Sequence, residues 1–419
     1  MLLEFSCSNH KSIKDKITFS AIAGKDETLD DQLIYYGKYK VLKTAVIYGP
    51  NGSGKSNLID AIQFTKNMVV ESIKHQPGDG IRQINHKLKN ISDPSEYTIQ
   101  FVKNDIRYAY GFVLNNALVY EEYLYYFPKG RQVKIFERTT DAFKPGDKFK
   151  GKFDTCQDVM KPNRLLLSCA ANFSNVSEVN EAFAFFRDDL IVYKGLGVDN
   201  WMDYSLHKIH DDPEVKKIAL LFLDSLGTGI TDIKVNIDKD YLKVTDLPPF
   251  LADEFKIKLM SEKMDRIEAK VVYESFETDL MNDESLGIKK LFEFVCPMID
   301  IMANGKVLVC DELEANFHES IVLGLVELFR TVKTSEPTQW FFTTHDTSIL
   351  SLSLFRRDQI WFTELTKGER ATDLYSLTEI KNVRKDENIG KGYISGKYGA
   401  IPMLNTSLAS LIEGGIDGK

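Results

Sequence analysis

Cysteine is scarce and unpatterned here: five residues, Cys7, Cys156, Cys169, Cys296 and Cys310, share no C-x-x-C spacing. That excludes a zinc ribbon and a disulfide framework, and fits a reducing cytoplasm. No apolar run approaches the ~18–20 residues of a membrane span, and nothing at the N-terminus reads as a targeting segment. No membrane role is expected. Basic residues are not in excess either: 53 Lys and Arg against 61 Asp and Glu leave a net charge of −8. Nucleic acid is therefore not indicated as a partner, although a local basic groove is compatible with that balance. No repeat of roughly 20–50 residues, low-complexity tract or sustained heptad occurs, which excludes solenoids and long coiled-coil arms. What remains, at 419 residues with 43% hydrophobic and 27% charged residues, is an ordinary globular composition. One large or two intertwined domains are expected.

Against that background one motif stands out. Gly49-Pro50-Asn51-Gly52-Ser53-Gly54-Lys55-Ser56 is a complete G-x-x-x-x-G-K-[ST] loop. The apolar, β-branched run Thr44–Tyr48 before it reads as a buried strand, and Asn57–Phe64 after it puts Leu58, Ile59, Ile62 and Phe64 near helical spacing. Three glycines let the backbone curl around an anion, so that successive N–H groups and the helix N-terminus point at a β-phosphate. Lys55 supplies a cation for the β/γ-phosphates, and the Ser56 hydroxyl is a ligand for Mg²⁺. The expected ligand is ATP with Mg²⁺, held by residues 49–57. A Gly-rich turn with an exposed lysine is the plain alternative.

Three stretches separate along the chain. Residues 1–175 hold the loop and then alternating aromatic and β-branched pieces at 97–102, 108–113 and 120–126, which read as an antiparallel sheet with a hairpin turn at Asn115-Asn116. Residues 176–280 are mixed, helix-like at 179–186 and 215–223 and strand-like at 230–235 and 270–273. His207 and His210 stand there at i, i+3 with no third ligand nearby, and solvated or capping roles suit them better than metal binding. Residues 281–419 return to alternation: a helix from Gly287, a strand at 307–310, a helix at 319–332 and a strand at 339–343.

Two of these strands end in chemistry. Val307-Leu308-Val309-Cys310-Asp311-Glu312 is an apolar strand running into two acids, a Walker B arrangement. Asp311 is placed for the Mg²⁺ shell and Glu312 to polarise the attacking water. Gln339–Thr344 is a second buried strand, and it ends at His345. One β-α-β step after Glu312, that histidine is expected beside the nucleotide, where it can hold the γ-phosphate and the water.

The order of phosphate loop, long insertion, Asp311-Glu312 and His345 resembles the ABC-type ATPase head shared by SMC, RecF-like and OLD-family proteins. The resemblance implies an α/β fold, with a mixed sheet around the P-loop and an antiparallel sheet beside it. It also implies a mixed α/β insertion without a long coiled coil. In such heads a signature loop opens a helix ahead of Walker B. Here Glu284-Ser285-Leu286-Gly287-Ile288 keeps the serine and the second glycine, while Leu286 and Ile288 depart from the ideal. Ser285 and Gly287 are the groups for a γ-phosphate, an ordinary helix cap being the alternative for Ser285. A Q-loop glutamine would follow Leu165–Ala171. Asn172 stands there instead, keeping an amide that can touch Mg²⁺ on a side chain one methylene shorter. Leu313–His318 matches a D-loop, with His318 in a structural or interface role.

A narrower resemblance, to RloA-type ATPases, covers nearly the whole chain. It rests on Leu2-Leu3-Glu4-Phe5 with Ser8-Asn9-His10-Lys11-Ser12-Ile13, on Arg356–Phe362, and on Tyr393–Pro402. It implies an ATP-binding protein of bacterial restriction-associated and abortive-infection loci, acting in phage defence with an effector from the same operon, such as an RloB-like protein. The leading expectation is an ATPase that closes as a homodimer, with Ser285 of one copy meeting the phosphate held by Lys55 of the other. A scaffold that restrains a toxin-like partner with little turnover, and a DNA-repair ATPase of the RecF or SMC kind, are the alternatives. A nuclease domain of its own is not expected, because no Asp-x-Asp pair follows a strand after His345.

Overall fold

The computed structural model of the chain describes residues 1–140, 142–195, 201–241, 263–315, 317–332, 334, 336–384 and 386–402. The chain forms two compact units, one of residues 1–192 with 339–419 and the other of 193–338. These boundaries differ from stretches 1–175, 176–280 and 281–419. The reason lies in strand pairing: the chain after Gln339 pairs with the strand that precedes the phosphate loop, and so rejoins the N-terminal part.

The first unit opens with β1 (Leu2–Ser8), β2 (Ile17–Ser20), β3 (Leu33–Tyr36), β4 (Tyr39–Leu42), β5 (Thr44–Tyr48) and α1 (Lys55–Glu71). It continues through β6 (Ser95–Lys103), β7 (Ile106–Leu114), β8 (Val119–Tyr126), β9 (Val133–Thr139) and β10 (Phe143–Pro145) to helices α2 (Asp154–Gln157), α3 (Leu166–Phe173) and α4 (Ser177–Ala184). An antiparallel sheet runs in the order β10-β9-β8-β7-β6-β1-β2. Period-two alternation builds it: Tyr97, Ile99 and Phe101 on β6 and Tyr108, Tyr110 and Phe112 on β7 are all buried. Asn115 makes the β7–β8 turn, its side-chain oxygen accepting from the Ala117 and Leu118 N–H groups at 2.9 and 3.0 Å.

The second unit follows β11 (Leu190–Tyr193). It holds α5 (Trp201–Asp211), α6 (Pro213–Ser225), β12 (Asp232–Tyr241), β13 (Lys263–Val272), β14 (Glu277–Asp279), α7 (Leu286–Ala303), β15 (Val307–Cys310) and α8 (Glu319–Thr331). Strands β12-β13-β14 form an antiparallel sheet. Trp201 of α5 and Phe294 of α7 meet Tyr193, each with ring centroids 4.6 Å from the Tyr193 ring. Among the described residues the longest helix is α7, with 18 residues, so none makes a coiled-coil arm. His207 and His210 face separate carboxylates, Asp265 at 3.0 Å and Asp211 at 2.8 Å. No described helix is long and apolar enough to cross a membrane.

Back in the first unit come β16 (Gln339–Thr343), β17 (Ile360–Leu365), β18 (Thr372–Ser376) and α9 (Ile389–Ile394). Here the strands run β16-β5-β17-β18, the first three parallel and β18 antiparallel. The wholly buried Gln339 side chain fixes this arrangement. Its amide oxygen accepts from Leu2 N–H at 2.6 Å, and its nitrogen donates to the Leu2 and Leu42 carbonyls at 3.0 Å. The carboxyl ends of β5 and β16 thereby become neighbours, which sets the phosphate loop beside the segment carrying His345.

Candidate nucleotide site

Strand β5 is buried along its whole length, and the loop that follows turns through two positive-φ glycines, Gly52 (φ 77) and Gly54 (φ 111). Gly54 is doubly constrained. Besides its φ, a Cβ there would lie 2.0 Å from Thr372 Oγ1, so no other residue fits. At Gly49 a Cβ would come within 2.4 Å of Thr363 Oγ1. The Ser53 N–H closes the loop on the Pro50 carbonyl at 3.1 Å. Helix α1 then begins at Lys55 with no side-chain cap from Gly54, and a helix N-terminus favours an anion.

Lys55 is only 5% exposed, although it carries a charge. Its ammonium donates to the carbonyls of Gly49 (2.7 Å) and Pro50 (3.3 Å) and to Nε2 of His345 (3.0 Å). Accepting at Nε2 requires a lone pair there, which puts the ring proton on Nδ1. The loop, Lys55 and His345 are thus brought together within one unit. Ser56 is exposed in the first turn of α1. Asn57 is committed elsewhere, donating from Nδ2 to Ser12 Oγ at 2.6 Å.

Two side chains that sequence reasoning missed brace the loop from far downstream. Thr363 of β17 meets Ser53 Oγ at 2.6 Å, and Thr372 of β18 donates to the Ser53 carbonyl at 3.0 Å. Nothing in their local sequence marks them; only the pairing of β17 with β5 brings them near. The motifs at the two ends serve the same region. His10 reaches Asp60 of α1 at 3.1 Å and Tyr97 at 2.8 Å, and Lys11 pairs with Asp60 at 2.6 Å. Tyr393 packs its ring against Tyr48 and Phe362 at 5.6 and 5.5 Å, and Glu364 accepts from the Ala400 N–H at 3.0 Å. A cavity of about 1180 Å³ is lined by Gly49–Asn51 and His345 together with Glu364, Lys367, Arg370 and Tyr393. The positive-φ glycines, the uncapped helix and the central ammonium suit a polyphosphate.

Asn172 lies in the last turn of α3, not in a loop, and its amide donates to the Ser168 carbonyl of the same helix at 2.8 Å. In the second unit, the Asp311 N–H donates to the Tyr193 carbonyl at 2.9 Å as β15 ends. Glu312 is exposed in a left-handed conformation (φ 47), a strained position for a residue with a Cβ. The turn that follows is held by a residue the sequence did not flag. Lys290 of α7, 1% exposed, donates to the carbonyls of Leu313 (3.1 Å) and Ala315 (2.6 Å), with its ammonium 4.6 Å from the Phe317 ring centroid. Burial pulls its pKa down. Asn316 of the D-loop lies outside the described residues, and His318 caps α8 through the Ser320 N–H. Ser285 is the exposed N-cap of α7, its hydroxyl accepting from the Ile288 N–H at 3.3 Å, with Gly287 in the first turn. Among the described residues no group of three or more His, Cys, Asp or Glu could hold a metal by itself. Mg²⁺ ordinarily takes only one or two protein ligands, the rest of its shell being phosphate oxygens and water.

Residues 45–155 match the family described as "AAA domain, putative AbiEii toxin, Type IV TA system". The matched stretch takes in the phosphate loop and is similar to an AAA-type nucleotide-binding domain. Solved structures similar to this chain include the Smc head bound to the C-winged helix domain of ScpA (12% identity, 90% of this chain and 97% of that one, TM-score 0.43). Two others are the SMC head domain from Thermotoga maritima (12%, 90% and 98%, 0.41) and the Smc head with an extended coiled coil bound to the C-terminal domain of ScpA from Pyrococcus furiosus (10%, 90% and 97%, 0.41). No curated protein matches the chain.

Proposed function

We propose that this chain is an ATPase that binds ATP at the phosphate loop and hydrolyses it in a head-to-head homodimer. The observation that carries the reading is the buried Lys55 ammonium, held at the centre of a three-glycine loop 3.0 Å from His345. Residues 49–57 would cradle the triphosphate. Ser56 and Asp311, with the amide oxygen of Asn172, would hold Mg²⁺, whose chemistry is to neutralise charge on the β/γ-phosphates. Glu312 would take the proton of the attacking water, and His345 would position that water or the γ-phosphate. Ser285, exposed as the N-cap of α7, and Gly287 in its first turn would reach the phosphate held by a second copy. The family description and the RloA-type motifs support a place in bacterial defence, with a separate effector protein as partner.

Glu312→Gln tests the catalytic core of this reading. It keeps size and polarity and removes the base, so ATP should bind and stay while turnover drops by at least 100-fold, an order typical of losing a general base. Light scattering with ATP should then report twice the monomer mass. Wild-type phosphate release from this variant would remove Glu312 from the role.

A further inference from the structure

The first unit contains a second cavity, of about 490 Å³, which shares no lining residue with the nucleotide cavity. Its walls are apolar at Val119, Phe143, Met160 and Pro162 and cationic at Arg138 and Lys161. That volume and that mixture of apolar wall with a few polar groups suit a small molecule.

Arg138 is the unusual member. It is 7% exposed, and only Nη1 is engaged, donating to the Arg164 carbonyl at 2.7 Å and reaching Glu122 Oε2 at 3.4 Å. Among the described residues its Nε and Nη2 hydrogens meet no acceptor. The other deeply buried arginine, Arg356, uses Nε, Nη1 and Nη2 together, on Asp358 and on the carbonyls of Asp26 and Thr28. Nor is Glu122 free to neutralise Arg138 fully. The same carboxylate accepts from the Leu166 and Leu167 N–H groups at the start of α3 and from the Tyr110 hydroxyl. One buried anion is shared by four donors, while Lys161 adds a second cation at the cavity.

We propose that this cavity binds a small organic anion, a carboxylate or phosphate monoester on an apolar body. The Arg138 fork and Lys161 take the charged head, and Phe143 and Met160 take the body. Through Glu122 the site adjoins α3. The start of that helix is joined to the turn that follows α1 by two hydrogen bonds, Ile73 N–H to Ser168 Oγ at 3.2 Å and Leu165 N–H to Ser72 Oγ at 3.1 Å.

The experiment is calorimetric titration of the full chain with phenyl phosphate, with benzoate, and with neutral benzyl alcohol. One-to-one saturable binding of at least one anion is expected, and the stronger of the two names the head group. Lys161→Glu should weaken it on the order of tenfold or more, as should Arg138→Met made together with Glu122→Gln, which removes both buried charges at once. Lys55→Ala should leave it unchanged. The proposal falls if neither anion binds, if benzyl alcohol binds as well as they do, or if Lys55→Ala abolishes binding while the cavity variants keep it.

Discussion

Replacing Thr372 by valine keeps the shape of the side chain and removes one hydroxyl, and the structure says what that hydroxyl does. Asn57 Nδ2 donates to Ser12 Oγ at 2.6 Å, Ser12 Oγ lies 2.7 Å from Thr372 Oγ1, and Thr372 donates to the Ser53 carbonyl at 3.0 Å. The relay ties the first turn of α1 to the phosphate loop by way of β18. Thr372 is 4% exposed, so valine strands the Ser53 acceptor away from water. A buried acceptor left unmet costs about 1–3 kcal/mol, and the half-buried Ser12 hydroxyl recovers most of its loss from solvent. The expected destabilisation is about 2 kcal/mol, or roughly 4–8 °C of melting temperature at about 2–4 °C per kcal/mol for a unit of this size. Because Ser53 belongs to the loop, part of the loss should appear as weaker ATP binding, by about tenfold if some 1.4 kcal/mol of loop preorganisation is forfeited. Differential scanning calorimetry and ATP titration on Thr372→Val and Thr372→Ser measure both effects. Serine retains the hydroxyl and should stay close to wild type. If valine melts and binds like wild type, or serine is as damaging as valine, the relay does not support the loop.

Three further outcomes are expected. Lys55→Ala removes the only side-chain cation described within the loop and should weaken ATP binding by at least about 100-fold, as befits a lost charge-assisted contact to phosphate; micromolar affinity in a titration would refute the assignment. Lys290→Met keeps most of the volume but strips the Leu313 and Ala315 carbonyls of their donor, so ATP should bind normally while phosphate release slows by about tenfold; unchanged turnover would make Lys290 a packing residue only. Lys397 and then Tyr398 hold the Glu387 carboxyl down at about 2. That value lies below the ordinary ~4.3, so the stabilisation is full above that pH and is lost as pH falls toward 2. Melting temperature should therefore fall more steeply below pH 4.5 in wild type than in Glu387→Gln, and parallel curves would show that the ion pair contributes nothing.

The sequence made some parts of this molecule legible and hid others for identifiable reasons. Strands such as β5, β15 and β16 are short, apolar and buried, and they end at the residues proposed to carry chemistry, so a local pattern sufficed to place them. Helix α7 was readable from Gly287 because an N-cap serine announces it, and the structure starts it one residue earlier. The braces were not legible. Thr363 and Thr372 lie more than 300 residues from Ser53, and their meaning exists only once β17 lies beside β5. Lys290 reads as an ordinary polar position in an amphipathic helix, yet it is buried and donates to two carbonyls of the turn after β15. The three-stretch division failed to anticipate that β16–β18 rejoin the N-terminal strands, since strand pairing across a 146-residue unit leaves no mark in local composition.

The contacts of Lys55 bear on the two roles proposed for His345. The acceptors of its ammonium include two carbonyls and Nε2 of that ring, and a neutral imidazole that accepts at Nε2 carries its proton on Nδ1. A phosphate oxygen is charged, and charge-assisted hydrogen bonds are roughly twice as strong as neutral ones, so a nucleotide should compete for Lys55. To donate to a γ-phosphate from Nε2, the ring must then move its proton there or take up a second one. To accept a hydrogen from water at Nε2 it needs neither change. Within the proposed function, aligning the water is therefore the role that asks less of the ring.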